Sequence, residues 1–258
     1  MDPRLIGATA IMAYIAATCG FATARHALGL TCTAVAVLIH AAFLYPSTVT
    51  AVGVNISLVN AASVVACCVA GLVLVVNLRQ PLPSLAVTIL PLAAFALALD
   101  LWFPAQRVLA KHLPFGAQLH IATAIIAYSL FAIAAIQALL LAFAARQLRQ
   151  HHPILNFLPP LPTMEAVMFQ LTALAFALLT ASLILGSAYV ENIRAQHLAH
   201  KIVFSILAWI VFAVLVFGRW RWSWRGRRGV KYVLSGFTLL ALAFFGTKLV
   251  LEVILHRM

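Results

Sequence analysis

The chain has 258 residues, of which 65% are hydrophobic and only 9% charged, with a formal net charge of +12 and a mean hydropathy of +1.07. A water-soluble domain needs roughly 25% charged residues to cover its surface, so a soluble fold is excluded. In lipid only helices and closed barrels satisfy their backbone hydrogen bonds, and the apolar runs here are continuous rather than alternating, which excludes a barrel.

Eight apolar stretches follow in order: Leu5–Ala24, Leu28–Tyr45, Leu58–Leu78, Leu82–Phe103, Gln118–Ala144, Val167–Tyr189, Leu198–Phe217 and Val230–Leu255. Each approaches or exceeds the roughly 20 residues that span about 30 Å of hydrocarbon. The expected fold is therefore all-α, a polytopic integral membrane bundle of about eight transmembrane helices, forming a single domain over residues 1–258. The first stretch is read as a retained helix rather than a cleaved leader, because a full span precedes Ala22-Thr23-Ala24. Pro46 is expected to end the second helix, Pro81 and Pro83 to separate the third from the fourth, and Pro153, Pro159, Pro160 and Pro162 to stiffen the connection before the sixth. Ala122, Ala127, Ala134 and Ala138 give the fifth helix small residues for close packing. Cys19, Cys32, Cys67 and Cys68 all fall within spans and make no CxxC or CxxCH pattern, so they read as packing residues.

Charge orients the bundle. With the N-terminus outside, Arg25, Arg79, Arg146, Arg149, Arg219, Arg221, Arg225, Arg227, Arg228 and Lys231 face the cytoplasm, while Arg4, Arg107, Lys111, Arg194, Lys201 and Arg257 face outward. The bias follows the positive-inside rule, places both termini outside and accounts for the basic run by orientation and contact with membrane lipid. Nucleic acid is not an expected partner. Glu165 is expected to stabilise the N-terminus of the sixth helix.

The same orientation sorts the histidines. His40, His112, His120, His197, His200 and His256 map to the outer face, six of the nine in the chain. His40 and His120 are embedded in spans, where ionisable groups are functional candidates by default. His197 and His200 share a helix surface at i, i+3 spacing, although no Glu or Cys stands beside them to complete a zinc set. Asp100, Lys248 and Glu252 are the charges of the membrane interior, and pairing of Lys248 with Asp100 or Glu252 would compensate them. No nucleophile–base pair, phosphate loop or carboxylate pair occurs, so an enzyme is not expected.

Three segments carry a family resemblance. Lys201-Ile202-Val203-Phe204-Ser205-Ile206-Leu207-Ala208-Trp209, Trp224-Arg225-Gly226-Arg227-Arg228 and Phe244-Phe245-Gly246 resemble the C-terminal half of the cytochrome c assembly (CcsA/CcmC-like) family, nearest its YpjD inner membrane branch. Asn55-Ile56-Ser57-Leu58-Val59-Asn60 and Leu119-His120-Ile121 with Tyr128 extend the likeness over most of the chain. The resemblance implies a haem-binding protein of the bacterial inner membrane that serves haem trafficking or cytochrome c maturation, together with other membrane or cytochrome assembly proteins. It implies His120 and His256 as ligands to haem iron at the outer face, with His40 as a third, intramembrane candidate. His197 and His200 lie where the family carries a Trp-Gly-x-Trp-x-Trp-Asp signature; here Tyr189 to Lys201 has neither the tryptophans nor the aspartate, and the two histidines are candidates for contact with a propionate. The position of a second intramembrane histidine is Phe217. These departures shift the expectation from haem attachment towards haem binding. Two other classes remain open: a haem-free accessory or scaffold subunit, and a cation or small-solute transporter using Asp100, Lys248 and Glu252.

Overall fold

A computed structural model describes residues 3–50, 53–55, 57–104, 108–109, 114–150, 158–188 and 199–246. Its eight long helices are α1 (Pro3–Ala22), α2 (His26–Thr48), α3 (Leu58–Arg79), α4 (Pro83–Trp102), α5 (Phe115–Arg149), α6 (Leu161–Ser187), α7 (Ala199–Trp222) and α8 (Arg227–Ala241), the last continued by a π-helical turn, Leu242–Gly246. All eight spans are long and apolar enough to cross a membrane, so the chain is a polytopic helical membrane protein. The helices form two compact units, Met1–His112 and Leu113–Met258.

In the first unit α1 and α2 form a hairpin that closes through a left-handed residue. Ala24 has φ +58°, and the Arg25 N–H donates to the Gly20 carbonyl at 2.9 Å. That six-to-one bond is the helix stop usually built on glycine. An L side chain there costs roughly 1 kcal/mol; Ala24→Gly is therefore expected to stabilise the protein by about 0.5–1 kcal/mol, readable as a rise in melting temperature. Beside the turn the two backbones touch: a Cβ on Gly20 would lie 2.8 Å from the Gly29 nitrogen.

The expectation at Pro46 is corrected, since α2 runs through it to Thr48. Proline removes one hydrogen bond, a small loss in a final turn whose carbonyls find other donors; here the Ser47 hydroxyl donates to the Leu44 carbonyl at 3.0 Å. Beyond the helix, β1 (Val49–Thr50), β2 (Gly53–Asn55) and β3 (Val108–Leu109) make a small antiparallel sheet in the order β1-β2-β3, with Val54 opposite both Val49 and Leu109. Ser57 caps α3 by accepting from the Asn60 N–H. At the other end of α3, Asn77 accepts from the Leu82 N–H at 3.0 Å, which ties α3 to the start of α4 across Pro81.

The second unit is built on the antiparallel pair α5 and α6. At 35 residues α5 reaches beyond its apolar run at both ends. Ala127, Ala134 and Ala138 are buried as close-packing residues, whereas Ala122 is exposed. Phe131 stacks on Phe212 with centroids 3.8 Å apart, and Phe212 in turn lies over Gly236 of α8, where a Cβ would meet the ring at 2.7 Å. Trp209 of α7 donates its indole N–H to Thr180 of α6 at 2.9 Å.

The role expected for Glu165 is also corrected. It lies beyond the first turn of α6, outside the strongest reach of the helix dipole, and pairs with Arg219 of α7 at 3.2 Å. Arg219 also donates to the Trp224 carbonyl at 3.0 Å and stands 4.4 Å over the Phe169 ring. One guanidinium thus joins α6, α7 and the turn into α8. Arg219→Gln is expected to cost about 1.5–3 kcal/mol, as for hydrogen bonds to a charged group. A double-mutant cycle with Glu165→Gln should show strong coupling between the two positions.

Candidate functional site

His120 sits in the second turn of α5 and is clamped by the last turns of α6. Its Nδ1 lies 2.7 Å from the Ser182 carbonyl oxygen and 3.1 Å from the Ser182 hydroxyl oxygen. That hydroxyl donates to the His120 carbonyl at 3.4 Å. A carbonyl can only accept, so the proton of the neutral imidazole is on Nδ1, and Nε2 carries the lone pair. Gly186 makes room for the ring, since a Cβ there would come within 2.8 Å of Cε1 and 3.0 Å of Nδ1. No hydrogen bond to Nε2 is made among the described residues. The result is an oriented imidazole presenting a basic nitrogen, the arrangement metal-binding histidines adopt when their second N–H bonds a carbonyl.

His40 is placed quite differently. It is fully buried about two turns from the end of α2, and both of its nitrogens are engaged. Nδ1 lies 3.1 Å from the Tyr14 hydroxyl of α1, and Nε2 lies 3.0 Å from the Ser63 hydroxyl of α3. The buried Asp100 carboxylate of α4 lies beside Ser63 and Asn60, and its Oδ2 has no hydrogen-bond partner among the described residues. Tyr14, His40 and Ser63 therefore form one buried hydrogen-bonded network joining α1, α2 and α3, with Asp100 of α4 beside it. In this arrangement His40 has no nitrogen open to a metal. Polar groups embedded in apolar surroundings are costly unless mutually satisfied, which explains why these four residues lie together.

His197, His256 and the side chain of His200 lie outside the described residues, as do Lys248 and Glu252. The pairing expected between Lys248 and Asp100 falls there too. Ser182 and Gly186 were not singled out in the sequence, although a serine and a glycine within an apolar helix are its natural places for a side chain of another helix to dock. Tyr14 and Ser63 gave the same weak signal, a polar group inside a span.

The Trp-Arg-Gly-Arg-Arg segment proves to be the α7–α8 turn. Trp224 covers Gly218, where a Cβ would meet the indole at 2.5 Å. It also stacks with Trp222 at 5.9 Å and packs on Tyr232 at 5.2 Å. Gly226 adopts φ +57° as it enters α8, a conformation that glycine tolerates best.

Together the fold and the oriented imidazole define a multi-pass membrane protein with a metal-competent histidine at a helix end. Residues 26–255 match the Cytochrome C assembly protein family, and the chain belongs to that family. It is 33% identical to Inner membrane protein YpjD of Escherichia coli over 203 residues, covering 78% of this chain and 77% of that protein. It is also 26% identical to Cytochrome c biogenesis protein CcsA of Synechocystis sp. over 89 residues, covering 34% of this chain and 27% of the other. The resemblance read from the Trp-Arg-Gly-Arg-Arg and Phe-Phe-Gly segments is thereby borne out. No solved structure matches.

Proposed function

We propose that this chain is a haem-binding protein of the bacterial inner membrane that contributes to haem trafficking or cytochrome c maturation. Haem is held at the periplasmic end of α5, and both termini lie on that side. The observation that carries the reading is the bond between His120 Nδ1 and the Ser182 carbonyl, 2.7 Å long, because it fixes Nε2 as the free donor to iron. Haem would supply an iron centre that an imidazole nitrogen can ligate, chemistry that side chains alone do not have.

His120 holds the iron through Nε2, Ser182 fixes the tautomer and Gly186 sets the ring position. His256 is the second ligand implied by the family resemblance, and His197 and His200 are the contacts assigned to a propionate. His40 is assigned to the buried network of the first unit instead of to iron. The chain acts by binding and delivery, alongside other membrane or cytochrome assembly proteins, and is not an enzyme with its own turnover.

The test of function is genetic. In a strain lacking the chain, covalently haem-stained c-type cytochrome should fall while the apocytochrome is still made. The wild-type gene should restore it and His120→Ala should not. Unchanged holocytochrome in the deletion strain would remove the maturation role.

A further inference from the structure

The corner where α6 begins and α7 turns into α8 carries positive charge that its surroundings do not balance. Arg219 is engaged by Glu165 and by the Trp224 carbonyl. Arg221, Arg225, Arg227, Arg228 and Lys231 are all exposed, and among the described residues none of them pairs with an acid. A cleft of about 290 Å³ opens at this corner, lined by Leu161, Pro162, Glu165, Arg219 and Arg225. Its apolar wall comes from α6 and its cationic rim from the turn. The Glu165 carboxylate within it is neutralised by Arg219, which leaves Arg225 as the uncompensated charge.

The surrounding surface points to the kind of anion that fits. Trp220 is 80% exposed and Trp222 58% exposed, and indoles displayed in this way settle at the level of lipid headgroups. Along α7, Val203, Ile206, Ile210, Val214 and Phe217 are exposed at spacings of three and four, so they form one apolar stripe. Arg219 and the cleft lie on the opposite side of α7 from this stripe, which is therefore the face the helix turns to lipid. A ligand that matches the cleft's apolar wall, its cationic rim and the headgroup-level indoles has long apolar chains and an anionic head. The turn that presents Arg225 is also held in place, by Trp224 over Gly218 and by its contacts with Trp222 and Tyr232.

We propose that this corner is a binding site for an anionic phospholipid, with the phosphate seated in the cleft by Arg225 and the start of its acyl chains against the apolar wall that Leu161 and Pro162 supply. The planar guanidinium fork matches two phosphate oxygens at once, which a lysine does not. The cation count required by membrane orientation asks only for positive charge on this side, whereas the cleft with its apolar wall and the aromatic pair together specify a lipid. The site is independent of the haem reading.

The full-length chain, held in nanodiscs of phosphatidylcholine with phosphatidylglycerol as the minor component, provides the test. Lipid retained on release from the disc is read by native mass spectrometry. Wild-type protein should retain phosphatidylglycerol in preference to phosphatidylcholine. Arg225→Gln with Arg227→Gln should weaken that retention about five-fold for each arginine removed, the usual contribution of one basic residue at an anionic surface. Excess inorganic phosphate should leave it unchanged. Equal retention of the two lipids by wild type overturns the proposal, as does undiminished retention by the double variant. Displacement by inorganic phosphate overturns the lipid assignment and marks a site for small anions. Should the double variant fail to fold, the wild-type lipid comparison and the single variant Arg225→Lys, expected to lose part of the preference through its missing fork, still decide the matter.

Discussion

His120→Ala is expected to abolish high-affinity haem binding while leaving the helices intact. The side chain supplies the nitrogen assigned to iron, and His40 cannot replace it, because both of its nitrogens are hydrogen-bonded. The loss should exceed the roughly 10–100-fold reduction that removing only a ligand's hydrogen-bonded support causes. Gly186→Val should show that smaller loss. Its side chain would enter space within 2.8 Å of His120 Cε1 and push the ring off the Ser182 carbonyl. Haem titration of purified protein, followed by absorbance, reads both effects, and circular dichroism confirms that helix content is kept. Equal affinity in wild type, His120→Ala and Gly186→Val would remove His120 as ligand.

The second large effect is structural. Gly20→Val should destabilise the first unit by about 3 kcal/mol, at the upper end of the cost of overpacking a close contact. The added Cβ would stand 2.8 Å from the Gly29 nitrogen and 3.0 Å from its Cα. These are backbone atoms and cannot swing aside, so α1 and α2 must separate along their length. Small residues at such crossings let backbones approach where lipid gives no hydrophobic drive to associate. Gly71→Ala is the control: its Cβ would have only Val37 Cγ1 nearby, at 3.8 Å, and within the helix interior it should stabilise by up to about 1 kcal/mol rather than destabilise. Unfolding in mixed micelles, monitored by ellipticity, separates the two variants.

The eight spans could be read from the sequence because lipid demands long continuous apolar runs, and hydropathy is local. Their ends were less legible. Helix α5 extends to Arg149 rather than stopping near Ala144, because a helix leaving the membrane can continue through polar residues that hydropathy treats as loop. Pro46 misled for a related reason, since proline in a last turn sacrifices little. The three short strands were invisible because segments of two or three residues are too short to show a period.

The candidate site was legible in part. His120 stood out as an embedded imidazole, and the family likeness singled it out again. Its tautomer was beyond reach, because it depends on a carbonyl 62 residues away. The same limit hid Glu165–Arg219, separated by 54 residues. It hid the partners of His40 as well, which come from α1 and α3. Sequence can say that a buried polar group needs a partner; only the packing of helices says which one.

The absorption spectrum of wild-type protein purified from haem-supplemented cells tests the central assignment most directly, with His120→Ala prepared in parallel. The account predicts a Soret band in the wild type that is lost in the variant. A colourless wild-type protein, or a band of equal intensity in both, would contradict it.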